Sequence, residues 1–168
     1  MQVSNNCKLP ADCRKKDKRG RAVEIREIRL EDIAQIAELE WEIFPDAWSE
    51  NAIRETWDQE QSILLGAFQG EILKGYLIVY YVLDELEIAR IAVRPSGRRQ
   101  GIAGALLKNL EKKSEELKIV RWLLDVRESN QAAISLYKKY EFSEDGKRKN
   151  FYTDPTESAI LMSRNTGK

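Results

Sequence analysis

The fold is decided by residues 85–107, which read ELEIARIAVRPSGRRQGIAGALL. Apolar residues stand at even positions, 86 and 88, in the first part of this stretch, and at odd positions, 91 and 93, in the second. Because side chains alternate along a strand, this change of phase predicts a β-bulge near Ala89-Arg90, which bends the strand and leaves backbone groups unpaired. A strand that ends before the change of phase is the alternative interpretation.

A glycine-rich turn and an amphipathic helix follow this strand. Gly101 and Gly104, with Ala103 between them, open the helix, along which the apolar residues Ile102, Leu106 and Leu110 stand four apart. The free N–H groups and the dipole of a helix N-terminus attract anions, and small residues let an anion approach closely. Arg98 and Arg99 add positive charge. The turn therefore predicts a pyrophosphate site, whereas a glycine-rich turn with solvated arginines is the plainer interpretation.

Hydrophobic periodicity predicts the elements on either side. We expect strands at 23–29, 63–68, 72–83, 85–93, 121–126, 142–147 and 157–163, and helices at 31–43, 49–57, 101–117 and 131–140. This order predicts an α/β (α+β) domain with a mixed, mostly antiparallel seven-stranded sheet and about four helices. It also predicts a central parallel strand–helix–strand crossover in the middle of the domain.

The amino-acid composition excludes several kinds of catalytic and metal site. The chain of 168 residues contains no histidine, which excludes histidine triads, histidine general bases and histidine metal sites. Its two cysteines, Cys7 and Cys13, are too few for a disulfide scaffold or a zinc site built from cysteine alone. We therefore expect no metal, and we expect proton transfer by carboxylates, tyrosines, lysines or the backbone. The longest apolar run, 76–83, is far shorter than the ~20 residues that span a bilayer, so no membrane is expected.

The charges are distributed unevenly along the chain. Residues 1–22 hold seven basic and two acidic side chains, whereas the rest holds 21 basic and 26 acidic ones. The first segment lacks hydrophobic periodicity and predicts a disordered basic tail at 1–22, before an acidic domain at 23–168. Two interpretations of the tail stay open: it contacts the phosphates of a nucleic acid, or it is a solvated extension. Because the domain is acidic, we expect a basic peptide partner rather than direct nucleic-acid binding. The absence of a signal-peptide pattern predicts a cytoplasmic location.

The segment 94–107 resembles the acetyl-CoA signature of the GNAT family of N-acetyltransferases. The core of that signature is Gln/Arg-x-x-Gly-x-Gly/Ala, and its places are occupied here by Arg98, Gly101 and Ala103. The later segment LDVRESNQAAISLY, at 124–137, fits the same family, and the resemblance covers roughly residues 23–163. It implies the GNAT fold and an acyltransferase that uses acetyl-CoA as its co-substrate.

Within that family the chain is most similar to the RimI-type ribosomal-protein-alanine N-acetyltransferases. The motifs FPDAWS at 44–49 and RKNFY at 148–152 carry this likeness. It implies transfer of an acetyl group to an N-terminal α-amine, the alanine of a small-subunit ribosomal protein. Two alternatives stay open: another amine acceptor, such as a lysine, a polyamine or an antibiotic, and a degenerate acyl-CoA-binding module without turnover.

The same resemblance implies roles for individual residues. Tyr137 falls on the general acid of the family and Asp125 on its general base, although the family base is usually the longer glutamate. A bridging water, or neighbouring Glu128 as the base, are the alternatives. Glu141 replaces the glycine that normally precedes the phenylalanine at Phe142, so the turn there departs from the family pattern. The implied cofactor-binding residues are Ile91, Ala92, Val93, Arg98, Arg99, Gln100, Gly101, Ile102, Ala103, Gly104 and Asn130.

Overall fold

A computed structural model of the protein describes residues 15–16 and 22–166. Its strands are β1 (Lys15–Lys16), β2 (Ala22–Glu27), β3 (Ser62–Gln69), β4 (Ile72–Val82), β5 (Glu85–Val93), β6 (Arg121–Arg127), β7 (Ser143–Thr153) and β8 (Thr156–Asn165). Its α-helices are α1 (Ile33–Ile43), α2 (Glu50–Trp57), α3 (Ile102–Glu116) and α4 (Gln131–Lys139). Short 3-10 turns at Leu30–Asp32 and Pro95–Gly97 precede α1 and α3. Most of the predicted tail at 1–22 lies outside the described residues.

All strands belong to one sheet in the order β1-β2-β3-β4-β5-β6-β8-β7. Neighbouring strands are antiparallel except β5 and β6, which are parallel and are joined through α3. The predicted mixed sheet with a central parallel crossover is therefore confirmed. The seven predicted strands correspond to β2–β8, and the two-residue β1 extends the sheet beyond β2.

The predicted β-bulge lies in β5. Arg90 pairs with Ile78 of β4 and Ile88 pairs with Val79, so Ala89 is the extra residue. Pairing with β4 continues as far as Val93, which rules out an early end of the strand. On its other side, β5 pairs with β6 only up to Ile88, because the strands diverge beyond the bulge. This divergence opens a cleft in the middle of the sheet.

Two hydrophobic cores cover the two faces of the sheet. On one face, α3 and α4 pack on a cluster that includes the fully buried Leu106 and Trp122. On the other face, α1 and α2 pack on a cluster that includes the fully buried Ile36 and Tyr76. Ser49 caps α2, because its hydroxyl accepts a hydrogen bond from the backbone N–H group of the third helical residue. The cleft thus lies between two packed layers.

Candidate active site

The cleft between β5 and β6 has three walls. The first is the segment 43–46 at the end of α1, and the second is β5 at 88–91. The third consists of β6 at 125–127 together with Asn130, Ala133 and Tyr137 of the α4 region and Tyr152 of β7. Of the site residues predicted from the sequence, Ile91, Asp125, Asn130 and Tyr137 are brought together in this cleft. The others lie along β5 and at the start of α3.

Asp125 is a half-buried residue near the end of β6, on the sheet face opposite to Trp122 and Leu124. Within the described part of the chain its carboxylate has no salt bridge and no side-chain hydrogen bond. It faces Tyr152: burial, followed by the charge of Asp125, raises the pKa of the Tyr152 hydroxyl. Asp125 is therefore a carboxylate whose lone pairs remain available in the cleft.

Tyr137 is the buried phenol of the site, with 4% of its surface exposed. Burial is the main cause that raises the pKa of its hydroxyl, and the nearby Tyr152 adds to the shift. The hydroxyl consequently stays protonated at neutral pH, which is the state that a proton donor needs. The Tyr137 ring packs against Phe142, with 5.5 Å between the ring centroids.

Both ends of α4 fix the position of Tyr137. At the start, the Asn130 side chain accepts a hydrogen bond of 3.1 Å from Ala133 N. At the end, Phe142 N donates to Tyr137 O and Glu141 N donates to Lys138 O, both at 3.1 Å. These two bonds form a Schellman motif, in which the residue after the C-cap adopts a left-handed conformation. Glu141 does so with φ of +66°, a conformation that glycine adopts without strain.

The N-terminus of α3 has the features of an anion site. Its N-cap residue Gly101 has φ of +80°, and a Cβ atom there would meet no neighbour within 4 Å. The first N–H groups of a helix have no intrahelical acceptor, and no described side chain caps this one. Arg98 and Arg99 are exposed beside it. The backbone amides and the guanidinium groups together suit a pyrophosphate.

Two of the predicted cofactor residues also serve the packing of α3. The Ile102 side chain is buried in the core, so its backbone N–H group is the part that can reach a ligand. Gly104 lies directly under the hydroxyl of Tyr140, and a Cβ atom there would collide with it. Gln100 is held by a hydrogen bond of 2.9 Å from its amide to Ser96 O. The turn is therefore fixed before any ligand binds.

The edge of β5 beyond the bulge is the third component of the site. Leu77, Tyr76 and Gly75 of β4 pair with residues 91, 92 and 93 on one side. On the other side no described strand pairs with this edge. A ligand with amide groups can therefore bind here as an additional strand, which is how an extended chain adds to a sheet edge.

Sequence reasoning did not single out Arg90 or Tyr152, which also line the cleft. The Arg127 guanidinium packs over the Tyr152 ring, 4.1 Å from its centroid, and pairs with Glu157 at 3.4 Å. Tyr152 belongs to the motif 148–152, and the motif 44–49 supplies Phe44, Pro45 and Asp46 to the cleft, whereas Arg90 lies in neither motif. Neither motif alone indicates which side chain points inward.

Comparison with known proteins now identifies the family. The model of the Acetyltransferase (GNAT) family matches residues 33–142. The chain belongs to the GNAT family of acetyltransferases. It is 33% identical over 139 residues to a putative [ribosomal protein bS18]-alanine N-acetyltransferase of Bacillus subtilis, which covers 82% of this chain and 92% of that relative. It is 37% identical over 117 residues to the [ribosomal protein bS18]-alanine N-acetyltransferase of Escherichia coli, covering 68% of this chain and 78% of that relative.

A solved structure agrees with this assignment. The crystal structure of the ribosomal-protein-S18-alanine N-acetyltransferase from Escherichia coli superposes with a TM-score of 0.80 and 31% sequence identity. The match covers 87% of this chain and 95% of that one. The predictions of a GNAT acyltransferase and of acetyl-CoA as its co-substrate are thereby confirmed.

The described residues of this acetyltransferase contain no helix long and apolar enough to cross a membrane. Within the same residues, no three His, Cys, Asp or Glu side chains form a group that could hold a metal ion. The observed site therefore consists of one unpaired carboxylate, one buried phenol, an open strand edge and a helix N-terminus.

Proposed function

We propose that this acetyltransferase moves the acetyl group of acetyl-CoA to the N-terminal α-amine of a ribosomal protein of the bS18 type that begins with alanine. The observation that carries the proposal is that Asp125 and Tyr137 both line the opening between β5 and β6. The acceptor is inferred from the printed activity of relatives that are 33% and 37% identical over most of the domain. Ribosomal proteins are made in the cytoplasm, so we propose that location for the enzyme.

Acetyl-CoA fits along the path from the cleft to α3. We propose that the pantetheine amides bind the free edge of β5 at residues 91–93 and that the pyrophosphate binds the N–H groups of residues 99–104. Arg98 and Arg99 then neutralise phosphate charge. Asn130 lies at the cleft with its side-chain oxygen engaged in capping α4, so its NH₂ group is the part directed to a ligand.

The reaction transfers an acyl group from sulfur to nitrogen. In our proposal Asp125 accepts a proton from the incoming ammonium group, through a water where its short side chain does not reach. The freed amine forms a bond to the thioester carbonyl carbon, and the carbon–sulfur bond breaks. Tyr137 donates its phenolic proton to the departing thiolate, and the second proton, which the nitrogen loses as the amide forms, restores the phenol of Tyr137. The unpaired backbone N–H groups beside the bulge at Ala89 stabilise the negative charge on the carbonyl oxygen.

The surroundings of the carboxylates support Asp125 rather than Glu128 as the base. Glu128 forms a salt bridge with Lys147 and does not line the cleft. Asp46, which does line it, is paired with Arg90 at 3.2 Å. Asp125 lines the cleft and has no cationic partner among the described side chains.

The proposal is tested by incubating the purified enzyme with acetyl-CoA and three acceptors. These are a basic peptide that begins with alanine and contains lysine, the same peptide with a blocked N-terminus, and spermidine. We expect one acetyl group on the α-amine of the first peptide, located by fragmentation mass spectrometry, and no product from the other two. Acetylation of lysine or spermidine would support another amine acceptor. Acetyl-CoA binding without product in any tube would support a binding module without turnover.

A further inference from the structure

A second charged cluster lies next to the catalytic pair, at the base of the cleft. Glu40 of α1 is completely buried and accepts a hydrogen bond of 2.8 Å from Trp48 N and another from the Tyr76 hydroxyl. Burial, followed by the charge of Glu40, raises the pKa of the Tyr76 hydroxyl, which therefore stays a donor. Arg90 provides the cation, with its Nε 3.6 Å from Glu40 Oε1.

Arg90 reaches from this buried carboxylate to the outer part of the same wall. Its Nη2 lies 2.8 Å from Asp46 O and 3.2 Å from Asp46 Oδ2. The guanidinium also packs over the rings of Phe44, at 4.5 Å, and Trp48, at 5.3 Å. One side chain of β5 thus contacts three residues of the segment 44–48, which has no regular secondary structure of its own apart from a turn.

The location of Arg90 connects these contacts to the acceptor side of the site. It directly follows the bulge residue Ala89, so the bulge sets the direction in which its side chain leaves β5. Phe44 and Asp46 form the wall that faces Asp125 and Tyr152 across the cleft. The proposed pyrophosphate site lies beyond the C-terminal end of β5, at the start of α3. A change at Arg90 should therefore move the acceptor wall and leave the acetyl-CoA path in place.

We propose that Arg90 is a positioning residue, which bridges Glu40 and Asp46 and thereby holds the segment 44–48 at the separation from β6 that admits the acceptor peptide. This inference rests on the proposed acetylation of a peptide α-amine in the cleft. It assigns acceptor binding, and not acetyl-CoA binding or the chemical step, to the Arg90 bridge. The contact with Glu40 is an ion pair at 3.6 Å without a hydrogen bond, whereas the contacts with Asp46 are hydrogen bonds from a charged donor, which are stronger than neutral ones and give a loop a defined geometry.

Two variants separate the two ends of the bridge. Arg90→Lys keeps the positive charge for buried Glu40 but lacks the fork that also reaches Asp46, so we expect the KM for the peptide to rise about tenfold. Asp46→Ala removes one exposed partner without leaving a buried charge, and the KM should rise about threefold, since the bond to Asp46 O remains. In both variants kcat and the Kd for acetyl-CoA should stay within about twofold of the wild type. Arg54→Lys, in the exposed pair with Glu50 on α2, is the matched control and should change none of these quantities.

The measurements are steady-state kinetics with the alanine-started peptide and calorimetric titration with acetyl-CoA. Thermal melts show whether Arg90→Lys is folded; if it is not, Asp46→Ala alone decides. A peptide KM equal to that of the wild type in the folded variants would overturn the inference and leave the proposed function intact. A loss of acetyl-CoA affinity as large as the rise in the peptide KM would also overturn the inference. A wild-type enzyme that acetylates no peptide would overturn the proposed function, and this inference with it.

Discussion

Replacing Glu141 by glycine should stabilise the enzyme without changing its catalytic rate. Glu141 occupies the position after the C-cap of α4 with φ of +66°, where an L side chain is strained and glycine is not. Its side chain is exposed and forms no salt bridge with any described residue. The carboxylate can therefore be removed at little cost, and the backbone strain is the quantity that changes.

The magnitude follows from two opposing effects. A non-glycine residue in the left-handed region costs roughly 1–2 kcal/mol. Glycine also makes the unfolded chain more flexible, which lowers the free energy of unfolding by about 0.4–1 kcal/mol. We expect the free energy of unfolding to rise by about 0.5–1 kcal/mol, which for a domain of this size raises Tm by roughly 1–4 °C.

The assay is thermal unfolding followed by circular dichroism, with Glu141→Ala as the matched variant. Alanine also removes the carboxylate but keeps the Cβ atom, so it should not reproduce the gain. The hydrogen bond from Phe142 N to Tyr137 O does not involve the replaced side chain, and kcat should stay the same. The reasoning is refuted if Glu141→Gly melts at or below the wild-type temperature, or if Glu141→Ala gains as much.

Three further predictions concern the proposed site. Tyr137→Phe keeps the ring packed on Phe142 but removes the proton donor, so turnover should fall about 10²-fold. Calorimetry should show little change in acetyl-CoA affinity. Full activity would mean that Tyr137 only fills the core. Asp125→Asn should lower kcat/KM strongly and Asp125→Glu should retain or improve it, and wild-type rates in Asp125→Asn would place the base elsewhere. Gly101→Ala should weaken acetyl-CoA binding in calorimetry. The control is Gly70→Ala, at a turn with φ of +61° where a Cβ atom would also meet no neighbour, and it should not change the affinity. Equal affinities in the two variants would exclude the N-terminus of α3 as the pyrophosphate site.

The parts of the fold that follow from local patterns were predictable. The change of phase in the 85–93 strand located the bulge at Ala89, because burial on one face demands strict alternation. The strand β7 was harder: it was predicted at 142–147 and runs over Ser143–Thr153. Nearly all of its residues are exposed, and its pairing with β8 shifts register twice. A strand without a buried face leaves no hydrophobic period in the sequence, so its length could not be predicted.

In the candidate site, too, some residues could be predicted from local motifs and others could not. Asp125 and Tyr137 stand 12 positions apart on consecutive elements, and a family motif indicates both. Arg90 contacts Glu40 of α1 and Asp46 of the segment that follows it, which lie about a third of the domain away in sequence. Such a contact depends on the direction in which the bulge points the side chain. No periodicity or spacing in a single sequence records that direction, so the Arg90 bridge required the structure.

The shorter side chain of Asp125, the proposed base, can be related to the pairing of the charges around it. An acceptor amine arrives protonated at neutral pH, and a carboxylate already held by a guanidinium would attract it weakly. The guanidinium of Arg90 engages Glu40 and Asp46, and that of Arg127 engages Glu157 and the carbonyl oxygens of Asp154 and Pro155. Both arginines that line the cleft are therefore engaged by other partners, and neither forms a salt bridge with Asp125. In the proposed mechanism the free Asp125 carboxylate attracts the ammonium group and then takes its proton, and a side chain one methylene shorter than glutamate leaves space for a bridging water.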